Sequence, residues 1–439
     1  MLHANTLALP VANVATVGRR FAVAVTMRPL ICRASPETAE ATPPRTRTAR
    51  RSFRENTRLT TYCPHGMFRL VRPSPTSVKE NRMYRALLIA AALGTLLATG
   101  AQAVTTTDLV NQVSTTSLQN YLQSLPTYYG DNRCFNYSIV GNTYVNGAQH
   151  DIMRDKLFTY FRQSGWTTFY DPIYITDTSG NISSGANIIA VKQGSVTPDK
   201  IYFVSGHYDS TANHQTGFTS CPGADDNASG CVGLLEMARI FSKYTFDSTI
   251  IFACFDGEEQ TINGNDGVTY RRVGSIHYVN KYTDIIPKIQ TMVSFDMVAW
   301  ANGSNRGRLE SGYSQNTALD TAIENALTNY GGLSYSYNNS QNYSDHVSFA
   351  NKGIPALMLI EYNWTSDPYY HTTSDAVDNP SNIGWAYYTK MVKAICGYVS
   401  DAAHLNGVAA GYAMAPQSSG TLTAQATNDL GAYLRGLVK

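Results

Sequence analysis

Several of the commonest signatures of hydrolytic and nucleic-acid-binding proteins are missing from this chain of 439 residues. There is no H-E-x-x-H, which excludes the zinc proteases that set two histidines one helical turn apart. There is no G-x-S-x-G, which excludes the serine elbow between a strand and a helix. None of the seven cysteines forms a C-x-x-C pair, so a thiolate zinc site is not expected. No apolar run reaches the ~20 residues that span a bilayer. Basic clusters are also missing where folding is expected: from residue 104 onward, 19 Lys and Arg face 28 Asp and Glu. Phosphate backbones are bound by clustered Lys and Arg, so nucleic acid is excluded as a partner.

The first 103 residues differ in kind, with 15 Lys and Arg against 4 Asp and Glu. At Met83 the chain reads Met83-Tyr84-Arg85, then an apolar stretch from Ala86 to Ala98, then Ala101-Gln102-Ala103. A charged start, an apolar centre and an A-x-A end make a secretory signal over 83–103. No Cys stands at the cleavage end, so a lipid anchor is not expected. Residues 1–82 are rich in Arg, Pro, Thr and Ser and cannot bury a core. They are read as a disordered or wrongly assigned extension ahead of a true start at Met83; an Arg-rich transit peptide is the alternative. The expected location is secreted or periplasmic, with no stable membrane insertion after signal removal. Five cysteines remain after Ala103, and their pairing is not legible. Cys254, within an apolar strand, is expected to be a buried free thiol.

After a helical and loop lead-in over 104–145 and a helix over 147–163, strands and helices alternate. Strands are expected at Asn187–Val191, Ile201–Ser205, Thr249–Phe255, Met292–Phe295 and Ala356–Ile360. Helices are expected at Gly230–Tyr244, about Tyr270–Tyr282, Thr317–Tyr330 and Ile383–Val399. The strands are apolar on both faces, as when both are covered. This alternation predicts a three-layer α/β/α sandwich with a mostly parallel, mixed central sheet over 104–401. Residues 402–439, rich in Ala, Gly, Ser and Thr, are expected to be a tail with a weak helical end, open to trimming.

Acids and histidines collect just after these strands, where open α/β sheets gather their sites. His207 follows Ile201–Val204; a neutral imidazole ligates zinc, and Asp209 two residues on can hold the other ring nitrogen. A turn with a satisfied His is the plainer reading. Asp225-Asp226 stand in a Gly-bounded loop before a helix. They are either a helix cap or, since adjacent carboxylates repel, a cation site. Glu258-Glu259 follow the strongest strand, and their side chains diverge, so that one can bind metal while the other moves a proton. Asp296 is an acid in an apolar strand, costly unless paired or metal-bound. His371, in Tyr370-His371-Thr372-Thr373-Ser374-Asp375, is weak by itself. Three carboxylates and two imidazoles without Cys suit zinc.

In this order, His207-x-Asp209, Asp-Asp-Asn-Ala-Ser-Gly around Asp226, Glu258-Glu259, Asp296-Met297 and His371-Thr372-Thr373 resemble the di-zinc exopeptidases typified by bacterial leucyl aminopeptidase and aminopeptidase Y. The resemblance covers about 187–400 and makes 104–401 a zinc peptidase domain. It implies two zinc ions per chain, one on His207 and Asp296, the other on Glu259 and His371, with Asp226 shared. It also implies that Asp209 orients His207, that Glu258 is the general base, and that Tyr343 or Tyr370 stabilises the oxyanion. Asp345 and His346 are expected to support rather than ligate. Gly274-Ser275-x-His277-Tyr278 matches a helix start in that family, and the loop 261–272 before it is longer than expected. The implied substrates are peptides with a free N-terminus, with an apolar first residue suggested by Met297, Tyr343 and the aromatic stretch 362–370. Glutaminyl cyclases share this scaffold but use one zinc and lack the Asp-Asp-Asn-Ala-Ser-Gly pattern. Carboxypeptidase specificity and a non-catalytic binding protein are further alternatives.

Overall fold

A computed structural model describes residues 103–301, 303–408 and 430–437. The expected extension over 1–82 and nearly all of the expected signal lie outside these residues. The strands are β1 (Ser138–Val140), β2 (Thr143–Val145), β3 (Thr167–Thr176), β4 (Ile182–Lys192), β5 (Thr197–His207), β6 (Tyr244–Phe246), β7 (Ser248–Phe255), β8 (Thr261–Asn263), β9 (Thr269–Arg271), β10 (Ile289–Phe295), β11 (Arg306–Glu310), β12 (Ser334–Asn338), β13 (Ala356–Glu361) and β14 (Leu405–Val408). The helices are α1 (Thr106–Val110), α2 (Thr115–Ser124), α3 (His150–Gln163), α4 (Gly230–Phe241), α5 (Val273–Lys281), α6 (Thr317–Ala326), α7 (His346–Ala350), α8 (Trp385–Ala402) and α9 (Leu430–Leu437).

The main sheet runs β1-β2-β4-β7-β5-β10-β13-β11-β12, with β3 paired to β4. Its centre, β7-β5-β10-β13, is parallel throughout, while β4 and β11 join it antiparallel. Side chains alternate across a strand with period two, and the central strands bury apolar side chains on both faces of the sheet. Two cores result. Ile188, Val204, Phe252, Cys254, Val293 and Leu357 face one core, with residues of α2, α3, α4, α6 and α8. Ile189, Phe203, Ile251, Ala253, Met292 and Ala356 face the other, with residues of α5, α7 and α9. This is the expected three-layer sandwich.

Each of the five expected strands is present and longer than predicted. β3 was not foreseen: Pro172 in its middle removes a backbone donor, but β3 pairs on one side only, where proline is tolerated. β11, Arg-Gly-Arg-Leu-Glu, has a turn-like composition and owes its strand form to pairing with β13 and β12. The boundary expected at 401 is crossed by packed structure. β14 pairs with β6, and Leu430, Leu434 and Leu437 of α9 are buried in the second core. No helix among the described residues is long and apolar enough to cross a membrane. Cys254 is a buried free thiol, as are Cys231 and Cys396, while Cys134 and Cys221 form a disulfide.

Candidate metal centre

Because the four central strands are parallel, their carboxyl ends share one edge, and the candidate ligands meet there. His207 ends β5, Glu258 and Glu259 follow β7, Asp296 follows β10, and His371 lies in the loop after β13. Asp226 comes from the turn leading into α4. That turn depends on glycine at two places. Gly223 has φ +56, and a Cβ there would lie 2.3 Å from the Asp226 carbonyl oxygen. A Cβ on Gly230 would lie 2.1 Å from the Phe295 carbonyl oxygen, so only glycine lets the helix start approach the end of β10.

The carboxylate of Asp226 stands between two imidazoles. Its Oδ1 is 3.2 Å from His207 Nε2, and its Oδ2 is 3.2 Å from His371 Nε2. His207 Nε2 also faces Asp296 Oδ1 at 3.4 Å, and His371 Nε2 faces Glu259 Oε1 at 3.0 Å. Two ligand sets follow, His207–Asp226–Asp296 and Asp226–Glu259–His371, each with its ligand atoms within 4.8 Å of one another. They share Asp226. Asp296 Oδ1 is buried and accepts no hydrogen bond among the described residues, an atom left for a cation. Imidazole nitrogen and carboxylate oxygen in this number suit zinc. Glu258 offers an oxygen within 4.8 Å of ligand atoms of His207 and Glu259.

Neighbours orient the ligands. Asp209 Oδ1 lies 3.4 Å from His207 Nδ1, and its carboxylate accepts the backbone N–H groups of Glu258 and Glu259 at 3.0 and 3.2 Å. One buried acid therefore ties β5 to the Glu-Glu turn, a role beyond the one its spacing suggested. Four further residues were not singled out from sequence. Asp375 accepts the backbone N–H groups of Asp225 and Asp226 at 2.8 and 2.9 Å. Ser344 Oγ donates to Asp296 Oδ2 at 2.6 Å. Asn213 Oδ1 meets His371 Nδ1 at 3.1 Å. Arg133, fully buried, donates to the carbonyls of Tyr208, Pro222 and Gly223, beside the Cys134–Cys221 disulfide. Asp375 had a signal, lying four residues after His371 in the motif itself; Arg133 had none.

Tyr370 stacks on His371 with ring centroids 3.8 Å apart, whereas Tyr343 is 52% exposed and edges against Trp364. Asp345 and His346 are buried at the start of α7 and belong to neither ligand set. Burial pushes the Asp345 carboxyl up to about 7 and, with Arg272, pulls the His346 imidazole down to about 3.

The acids and imidazoles shift each other strongly. Burial would raise the Asp226 carboxyl, but hydrogen bonds from His207 and His371 hold it well below the carboxylate range. Burial, then the Asp226 charge, pushes Glu259 up to about 7. Burial would lower His371, but Glu259 and Asp226 raise it to about 11. Burial, with Glu259, Asp345 and Asp296 adding to it, lifts Glu258 well above its usual range. Without a cation, the centre offsets its charge with protons. A raised pKa means the proton is present at neutral pH and must leave when a cation binds. Zinc uptake by metal-free protein at pH 7 should therefore release protons, and zinc affinity should weaken as pH falls. Indicator absorbance in weak buffer measures this; uptake of zinc without proton release would contradict it.

Residues 187–399 match the model of Peptidase family M28. A relative from Pyrenophora tritici-repentis, "Probable zinc metalloprotease", is 37% identical over 112 residues, 25% of this chain and 24% of that protein. "Probable aminopeptidase YDR415C" of Saccharomyces cerevisiae is 27% identical over 220 residues, 48% of this chain and 56% of that protein. The chain thus spans about a quarter of the length of the former relative and about half of the latter. The LapA aminopeptidase of Legionella pneumophila has the same fold, with TM-score 0.53 and 19% identity over 68% of this chain and 74% of that one. So does a glutaminyl cyclase of Macrostomum lignano, with TM-score 0.54 and 20% identity over 70% and 94%.

Proposed function

We propose that this protein is an exported aminopeptidase with two zinc ions, removing apolar residues from the N-termini of peptides. The observation that carries the proposal is the shared carboxylate of Asp226, with each oxygen 3.2 Å from a different imidazole. His207 and Asp296 would hold one zinc, Glu259 and His371 the other. When bound, zinc supplies a water of lowered pKa and a Lewis acid for the scissile carbonyl.

The chain's own residues do the rest. Glu258, half-buried beside the ligands yet in neither set that shares Asp226, takes the proton of the attacking water and returns it to the leaving amine. Its raised pKa lets it hold that proton between the two steps. Tyr370 is the better placed oxyanion donor. Burial and the charges of Asp226, Glu259 and Glu258 keep its hydroxyl protonated, hence able to donate. Tyr370→Phe should lower kcat by about 10²-fold, the scale of one oxyanion-hole donor, with KM nearly unchanged. Tyr343→Phe should change kcat less than about threefold, having removed no such donor. The reverse ranking in steady-state kinetics would transfer the role to Tyr343.

Met297, Met358, Ile360, Trp364 and Tyr370 form an apolar cluster beside the ligands and line the same cleft, which suits an apolar first side chain. The cleft lining contains four acids and no Lys or Arg, which favours a substrate's free amine over a terminal carboxylate. That separates the proposal from carboxypeptidase activity. A single-zinc cyclase reading leaves half of the ligand set without a task. The Cys134–Cys221 disulfide supports export, since such bonds persist in oxidising compartments.

A chelator should abolish hydrolysis of leucine anilide, and zinc should restore it with half-recovery near one ion and full recovery at two per chain. Hydrolysis unaffected by chelation, or restored in full by one zinc, would overturn the proposal.

A further inference from the structure

Beside the bridging loop lies a second group of acids that the proposed chemistry leaves unused. Asp225, Glu361 and Asp367 each offer a carboxylate oxygen, all within 4.8 Å of one another, and all three side chains are buried. Asp225 precedes the bridging Asp226, Glu361 ends β13, and Asp367 follows a short turn at Trp364–Ser366. Backbone donors satisfy part of the group. Asp225 Oδ1 accepts from Ala299 N at 2.8 Å and Oδ2 from Trp300 N at 3.3 Å. Glu361 Oε2 accepts from Trp300 N at 2.9 Å, and Asp367 Oδ1 from Tyr369 N at 2.9 Å.

Two atoms remain. Glu361 Oε1 and Asp367 Oδ2 meet no donor among the described residues, with Glu361 0% and Asp367 only 8% exposed. The charges that act on Glu361 are those of Asp225 and Asp367, both of its own sign. Buried carboxylates are normally paired or bound to metal, and among the described residues these have no basic partner. Each ligand set that shares Asp226 contains an imidazole; this group is oxygen alone. Calcium takes such donors, whereas zinc prefers nitrogen or sulfur among them.

We propose that Asp225, Glu361 and Asp367 hold one divalent cation of the calcium class, separate from the two zinc ions. The cation joins the loop that carries Asp226, the end of β13 and the turn that leads to Tyr370 and His371. It thus fixes three segments that supply or support the zinc centre, without touching substrate.

Terbium(III), an oxygen-seeking calcium substitute excited through nearby tryptophan, reports on such a site. Trp300 bonds the group through its backbone, and Trp364 lies within its turn. Zinc-loaded, calcium-free protein is expected to give sensitised emission saturating at one terbium per chain and displaced by calcium. Glu361→Gln should lose at least tenfold of that emission while elemental analysis still finds the wild-type zinc content. Should Glu361→Gln not fold, Asp367→Asn serves, together with the melting temperature of the wild-type protein, which calcium should raise. No sensitised emission, emission undiminished in a folded variant, or a melting temperature indifferent to calcium would overturn the site in favour of acids that merely share protons. Zinc content and terbium emission are separate readouts, so failure of one site does not decide the other.

Discussion

Replacing Glu258 by Gln is expected to leave zinc content and fold unchanged while lowering kcat by about 10³-fold, within the range general acid–base groups supply. The amide keeps the size of the side chain and removes its basicity. Because Glu258 lies outside both ligand sets that share Asp226, its loss should not release metal. Because burial and neighbouring acids raise its pKa, the acidic limb of the wild-type pH–rate profile should flatten in the variant. Elemental analysis beside steady-state kinetics decides the matter. Loss of zinc would make Glu258 a ligand, and retained turnover would end its role as base.

Replacing Asp226 by Ala is expected to empty both zinc positions together, because its two oxygens serve different imidazoles. Activity should fall by more than about 10⁴-fold, since metal and general-base contributions then vanish at once. Asp296→Ala is the informative contrast. It touches only the His207 set and should spare the Glu259–His371 position. Two zinc ions still bound to Asp226→Ala, with circular dichroism unchanged, would mean that the carboxylate is not shared. Equal zinc loss in both variants would mean that the positions do not fill independently.

The central strands were legible because a strand buried on both faces carries a short run of apolar residues, a pattern that survives without knowledge of its neighbours. His207, Asp226, Glu259 and Asp296 were legible because each closely follows such a strand or stands in a glycine-bounded loop; His371, well beyond β13, was legible only through the resemblance. What escaped is what context supplies. β11 is a strand through its partners, and its Arg and Glu carry no local signal. Ser344 and Asn213 are ordinary polar residues whose value comes from what folding sets beside them. The choice between Tyr343 and Tyr370 needed packing as well, since either spacing allowed the role and only one ring lies flat against His371.

Arg133 lies more than fifty positions ahead of residue 187, where the match to the peptidase family begins. Its three donor groups are nonetheless the rivet under Tyr208, Pro222 and Gly223, and thus under the metal-bearing loops themselves. Recognisable kinship and working unit therefore have different borders. A fragment trimmed to the matched segment would carry all five ligand candidates but lack this underpinning and the cystine next to it. Such a fragment is the wrong object on which to judge whether the enzyme is active.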